Sequence, residues 1–238
     1  MALASGTRSG PRERPARVDK SAIRNAATVI VVRDPGDAPK VLMGQRGAKA
    51  AFMPNKFVFP GGALDPGDHD VPLDALPEPC TARMAHDSTP GLASGLLAAA
   101  IRELWEETGL ALGRPWPWPG AVPHDWAGFA DLGLVPDATN LRFVFRAITP
   151  PGRPRRFDAR FFLVDASQLW GDPDDFSRAS DELSHLQWIP LPEMRNFTLP
   201  FITEVVLAEV AAALPGLGAP DSVPFFDNRH EESVFRRL

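Results

Sequence analysis

The stretch Arg102-Glu103-Leu104-Trp105-Glu106-Glu107-Thr108-Gly109-Leu110 decides how the chain is read. Counted from Leu97, the residues Ile101, Leu104, Trp105 and Thr108 follow at i+4, i+7, i+8 and i+11, which predicts an amphipathic helix with one apolar stripe on the core. Gly109 is a ready C-terminal stop, and the helix begins either at Pro90 behind Thr89 or later behind Ser94. Glu103, Glu106 and Glu107 stand at i, i+3 and i+4, so their carboxylates share one face. Like charges at that spacing repel by about 0.2–0.5 kcal/mol per pair, and something positive should offset them. Carboxylate oxygens without cysteine or histidine neighbours suit a hard cation, Mg²⁺ or Mn²⁺, and such an ion bridges phosphate oxygens. The implied substrate is a phosphate ester or anhydride.

An acidic helix face alone is most often merely solvated. Here it comes with Arg102 before it, Gly109 after it and Phe59-Pro60-Gly61-Gly62 upstream. Working outward, Ala26–Asp34 reads as a buried strand closed by the turn Asp34-Pro35-Gly36-Asp37. Lys40–Arg46 fits a second strand and Phe57–Pro60 a short third one, ending at paired glycines that let backbone come close to something. Residues from Ala63 to about Ala93 carry loop chemistry, apart from any short helix, and a loop that long is unusual inside a domain. Beyond the central helix, a short helix is expected near Asp125–Leu132. Strands follow at Leu141–Ile148, Arg156–Val164 and Leu183–Ile189, then an apolar helix at Phe201–Leu214.

The two halves of the pattern resemble the Nudix box: Gly, five residues, Glu, seven residues, Arg-Glu, an apolar residue, any residue, Glu-Glu, any residue, Gly, apolar. The second half matches from Arg102 to Leu110. In the first half Gly62 is followed at the expected distance by Asp68 in place of glutamate, and 33 residues, 69 to 101, replace the seven. A looped-out insertion can leave both halves in register. A split box is similar to the coenzyme A diphosphatase branch named nucleoside diphosphate-linked moiety X motif 19. Gly44-Gln45-Arg46-Gly47, Phe52-Met53-Pro54, Val58–Gly62 and Arg156–Phe162 are similar to that branch as well. The likeness covers roughly Ala26 to Pro200.

This resemblance implies an α/β fold, an α/β/α sandwich with a mixed sheet, that hydrolyses a nucleoside diphosphate linked to another moiety. Coenzyme A or acyl-coenzyme A is the implied substrate, giving 3',5'-bisphosphoadenosine and a 4'-phosphopantetheine. The rivals are ADP-ribose, NADH or another nucleotide, and a noncatalytic nucleotide-binding module. The resemblance also implies that Glu103, Glu106 and Glu107, with the Gly61 carbonyl, bind Mg²⁺ or Mn²⁺ and that Arg102 orients a box glutamate. Arg46 and Arg160 are candidates to hold the diphosphate. Asp181 or Glu182 is the candidate for an additional acid.

Composition bounds the rest. The 238 residues, 44% hydrophobic and 23% charged, suit a folded globular chain. We divide it into a flexible tail (1–24), a catalytic domain (25–214, insertion about 69–93) and a C-terminal extension (215–238). A net charge of -5 argues against a nucleic-acid polymer as partner. The lone Cys80 fits a reducing compartment, and no run is long and apolar enough to span a bilayer, so a cytoplasmic setting is expected, with no membrane partner. The sequence leaves the oligomeric state open, a homodimer among the options. The five histidines lack ligand spacing, Trp116, Trp118 and Trp126 read as packing rather than base stacking, and Cys80 reads as a bystander.

Overall fold

In a computed structural model of the chain, residues 22–50, 52–73 and 75–238 are described. Most of the expected tail lies outside these residues. Strand β1 runs from Ile23 to Arg33, starting inside that tail and extending the expected strand toward the N-terminus. It is followed by β2 (Lys40–Arg46), β3 (Phe57–Val58) and β4 (Gly61–Ala63). The glycine pair thus forms a strand of its own. The insertion then contributes a 3-10 turn at Pro66–Asp70 and a short helix α1 (Cys80–Met84).

The central helix α2 spans Leu92–Thr108, between the two expected starts. Thr89, Pro90 and Gly91 are spent on a turn, in which Leu92 N–H donates to the Thr89 carbonyl. Ser94 Oγ bonds back to the Gly91 carbonyl, which places it inside the first helical turn rather than at the cap. Next come β5 (Gly113–Pro115), a 3-10 turn at His124–Trp126, α3 (Ala127–Ala130) and β6 (Leu134–Pro136). β5 and β6 form a small antiparallel ribbon that the sequence did not announce, each strand having three residues and a proline. The chain closes with β7 (Arg142–Ile148), β8 (Arg156–Asp165), β9 (Leu183–Pro190), α4 (Phe201–Ala213), β10 (Pro224–Asp227) and β11 (Val234–Arg237).

The main sheet is mixed, in the order β11-β10-β7-β8-β1-β2-β3, with β4 also on β1 and β9 also on β2. β1 pairs in parallel with β8 over ten residues and antiparallel with β2 and β4. Its continuous run of Val and Ile is explained by burial on both faces. Ala27, Val29 and Val31 pack toward α2, while Ile30 and Val32 pack toward α4 with Val206 and Val210. Each buried Val or Ile among them contributes roughly 1.5–3 kcal/mol. The result is the expected sandwich, a mixed sheet between helices.

α2 departs from the expected single stripe. Every residue from Leu96 to Leu104 is buried, Arg102 and Glu103 included. The sheet covers one side, while Val71, Cys80 and Met84 of the insertion join the same core and cover another. A helix covered this fully cannot leave its charges to water.

Gly109 ends α2 with φ +73, and a Cβ there would lie 2.8 Å from the Arg178 Cβ. Gly109→Ala is expected to lower the urea midpoint by the equivalent of roughly 1–3 kcal/mol at unchanged slope. An unaltered midpoint would mean that this stop is not a tight fit.

Candidate active site

The site forms where β4 passes under α2. Gly61 and Gly62 pair with Thr28 and Ala27 of β1. A Cβ on Gly62 would collide with the Glu103 carboxylate, and one on Gly61 would lie 2.5 Å from the Ala27 carbonyl oxygen. The absence of side chains here is what lets the helix carboxylates reach the backbone. Gly61 N–H donates to Glu107 Oε2 at 2.8 Å.

Arg102 organises the remainder. Its Nε and one terminal nitrogen grip both oxygens of Asp68, at 2.8 and 3.0 Å. Its other terminal nitrogen donates to Glu103 Oε1 and Glu106 Oε2, both at 3.0 Å. The Ala63 carbonyl accepts a further bond at 3.1 Å. Asp68 in turn accepts from the Asp65 N–H at 2.8 Å. The planar fork of arginine suits this two-sided grip, and lysine could not reproduce it. The aspartate that departs from the box pattern thus joins the two halves across the insertion. The spacing from Gly62 was the signal, and the contact partner was missing from it.

The electrostatics of the cluster follow from its burial. Desolvation pushes the Glu103 carboxyl up to about 7; Arg102 opposes this and Glu106 adds to it. Glu107 is pushed up to about 8, first by burial and then by Glu103, against the pull of the Gly61 N–H and Arg46. Glu106 is also raised by burial, with Arg102 opposing. Burial works to lower the Arg102 pKa, yet Asp68, Glu103 and Glu106 together raise it above its ordinary value.

Other residues reach the cluster from separate elements. The charge of Glu182, just before β9, is felt by Glu103, Glu106 and Glu107, whereas Asp181 is absent from those interactions. Arg46 stands in register with Leu183, and its Nε is buried with no hydrogen-bond partner among the described residues. Asp125, which no sequence pattern marked, acts on Glu106. Arg160 is not brought to the carboxylates. It is 1% exposed, donates to Asn25 Oδ1 and the Asp158 carbonyl at 2.7 and 2.9 Å, and its Nε has no hydrogen-bond partner among the described residues. Burial lowers its pKa to about 10.

The residues set aside in the sequence fall as follows. Trp126 is buried and packs on Phe129, Trp118 leans on Trp126, and exposed Trp116 lies against Arg114. Cys80 is buried and accepts from the Phe143 N–H.

Among the described residues, no three His, Cys, Asp or Glu side chains stand as a ready-made metal cage. Glu103 and Glu106 each turn an oxygen onto Arg102, and Glu107 turns one onto the Gly61 N–H. The donor chemistry nevertheless fits a hard divalent ion. Three glutamates, two of them buried and raised toward neutrality by desolvation and repulsion, are the environment in which such a cation restores the charged forms.

No protein-family model matches the chain. A Caenorhabditis elegans protein named nudix hydrolase 7 is 31% identical over 180 residues, covering 71% of this chain and 52% of its own length. A Gallus gallus protein named acyl-coenzyme A diphosphatase NUDT19 is 28% identical over 210 residues, covering 65% of this chain and 54% of its own. The chain therefore spans about half the length of these curated relatives. The crystal structure of a NUDIX hydrolase from Alicyclobacillus acidocaldarius superposes with a TM-score of 0.59 at 28% identity, covering 80% of this chain and 92% of that one.

The raised carboxyls fix a pH dependence. A glutamate whose folded pKa lies above its unfolded value of 4.5 favours the folded state at low pH, and that advantage is lost as pH rises. In chelator, the melting temperature is expected to fall from pH 5 to about 8, and Glu107→Gln is expected to flatten the slope. A slope of opposite sign between those limits would contradict the assigned burial.

Proposed function

The chain belongs to the Nudix hydrolase family, and from that premise we propose that it hydrolyses a diphosphate joining a nucleoside to another moiety. The observation that carries the reading is the Arg102 fork, which gathers Asp68 from one half of the split box and Glu103 and Glu106 from the other. Glu103, Glu106, Glu107 and the Gly61 carbonyl would hold Mg²⁺ or Mn²⁺, which when bound supplies charge neutralisation and a water acidic enough to ionise near neutral pH.

The chain's own groups divide the remaining work. Arg102 is a positioning residue that fixes two carboxylates at once. Arg46, whose Nε is buried with no hydrogen-bond partner among the described residues, would donate to a diphosphate oxygen, where charge builds during cleavage. Glu182, just before β9 and with its charge felt by all three box glutamates, is our candidate over Asp181 for the carboxylate base that takes a proton from the attacking water. Arg160 is withdrawn as a diphosphate holder, since Asn25 and Asp158 occupy it below the surface.

Coenzyme A or an acyl-coenzyme A is the proposed substrate, supported by the split box and by the name of the Gallus gallus relative. No helix among the described residues is long and apolar enough to cross a membrane; we keep a cytoplasmic setting as part of the proposal. With Mg²⁺, a panel of coenzyme A, acetyl-coenzyme A, ADP-ribose and NADH is expected to show fastest turnover of a coenzyme A species. Glu106→Gln and Glu107→Gln are each expected to lower kcat by at least about 100-fold without unfolding the protein. Turnover of ADP-ribose or NADH with none of coenzyme A would overturn the substrate, and full activity in both variants would overturn the metal site.

A further inference from the structure

The segment from Trp170 to Glu182 is a loop pinned at four points. Trp170 N–H donates to the Ala111 carbonyl at 2.8 Å. Arg33 grips both oxygens of Asp174 at 2.7 and 3.1 Å, and Trp188 Nε1 donates to the Pro173 carbonyl at 3.2 Å. Ser180 N–H donates to the Glu106 carbonyl at 2.9 Å, on the helix that carries the box glutamates. A loop held this firmly presents its side chains in fixed positions, as binding loops on rigid scaffolds do.

Its two ends face different things. Glu182 acts on the carboxylates. At the other end a cleft of about 200 Å³ opens at the tip of α2, walled by Gly109, Ala111, Trp170, Asp172 and Arg178. Trp170 is 48% exposed although its backbone is bridged to Ala111. A single exposed aromatic on a protein surface needs no explanation. Here the backbone is locked and the residue walls a cleft at the end of the helix that carries the carboxylates, the placement a stacking platform needs. Gly109 stands three positions beyond Glu106, a backbone rise of about 5 Å along the helix that carries the carboxylates.

We propose that this cleft takes the nucleobase of the diphosphate substrate, stacked on the Trp170 indole. This rests on the Nudix reading above, because it is the anhydride at Glu103–Glu107 that brings a nucleoside within reach of the helix tip. The occupant would be aromatic because Trp170 walls the cleft, and tethered to phosphate because the cleft lies at the end of the helix whose carboxylates would face the phosphates. Asp172 bonds the Asp174 N–H through Oδ1, and a carboxylate has capacity for more donors. It therefore favours bases with an exocyclic amino group over those presenting only carbonyls there.

Calorimetry with Mg²⁺ tests this without requiring turnover. AMP is expected to bind the intact protein at least about tenfold more tightly than ribose 5-phosphate, the scale of one base–aromatic stack. Trp170→Ala is expected to collapse that ratio toward one, Trp170→Phe to keep most of it, and ribose 5-phosphate affinity to stay the same in both. A ratio unchanged in Trp170→Ala, or a ratio near one in the intact protein, would overturn the proposal. Loss of hydrolysis in the panel with the AMP ratio preserved would count against the catalytic reading and leave the base site standing.

Discussion

The grip of Arg102 is the constraint on which the rest depends. A guanidinium 6% exposed beside an aspartate 1% exposed is tolerable only if every donor is used. Here the donors go to Asp68, Glu103, Glu106 and the Ala63 carbonyl. Removing one partner from such a buried set typically costs about 3–5 kcal/mol. The same bonds fix where the helix carboxylates sit relative to Gly61 and Gly62, so burial and register are set together.

That grip also accounts for the insertion. Residues 69 to 101 leave the site just after Asp68 and return at Arg102, so both ends of the excursion meet in one ion pair. Between them the chain adds Val71, Cys80 and Met84 to the core over α2. Arg83 donates to the Pro220 and Asp221 carbonyls, and Asp87 pairs with Arg229 and Arg236. The insertion is therefore held by the C-terminal segment as well, whose strands β10 and β11 extend the main sheet.

Much of this was legible because it is periodic or local. The strands at Lys40–Arg46 and Arg156–Asp165 and the helix at Phe201–Ala213 follow from residue pattern, and the glutamate spacing placed the acidic cluster. What was hidden depends on contacts between distant residues. Asp68 reads as a departure from the box until it meets Arg102, and Asp125 opens the expected short helix with nothing in the sequence to link it to Glu106. The near-complete burial of α2 comes from the insertion folding over it, which periodicity cannot announce. Arg160 is the converse: the resemblance gave it a role, yet Asn25 and Asp158 hold it.

The central claim is that the two halves of the split box make one divalent-cation site. Anomalous scattering from a crystal grown with Mn²⁺ tests it most directly. The account predicts a peak among the Glu103, Glu106 and Glu107 carboxylates and the Gly61 carbonyl, at oxygen distances of roughly 2.0–2.3 Å. No peak there in millimolar Mn²⁺, or a peak confined to other residues, would contradict it.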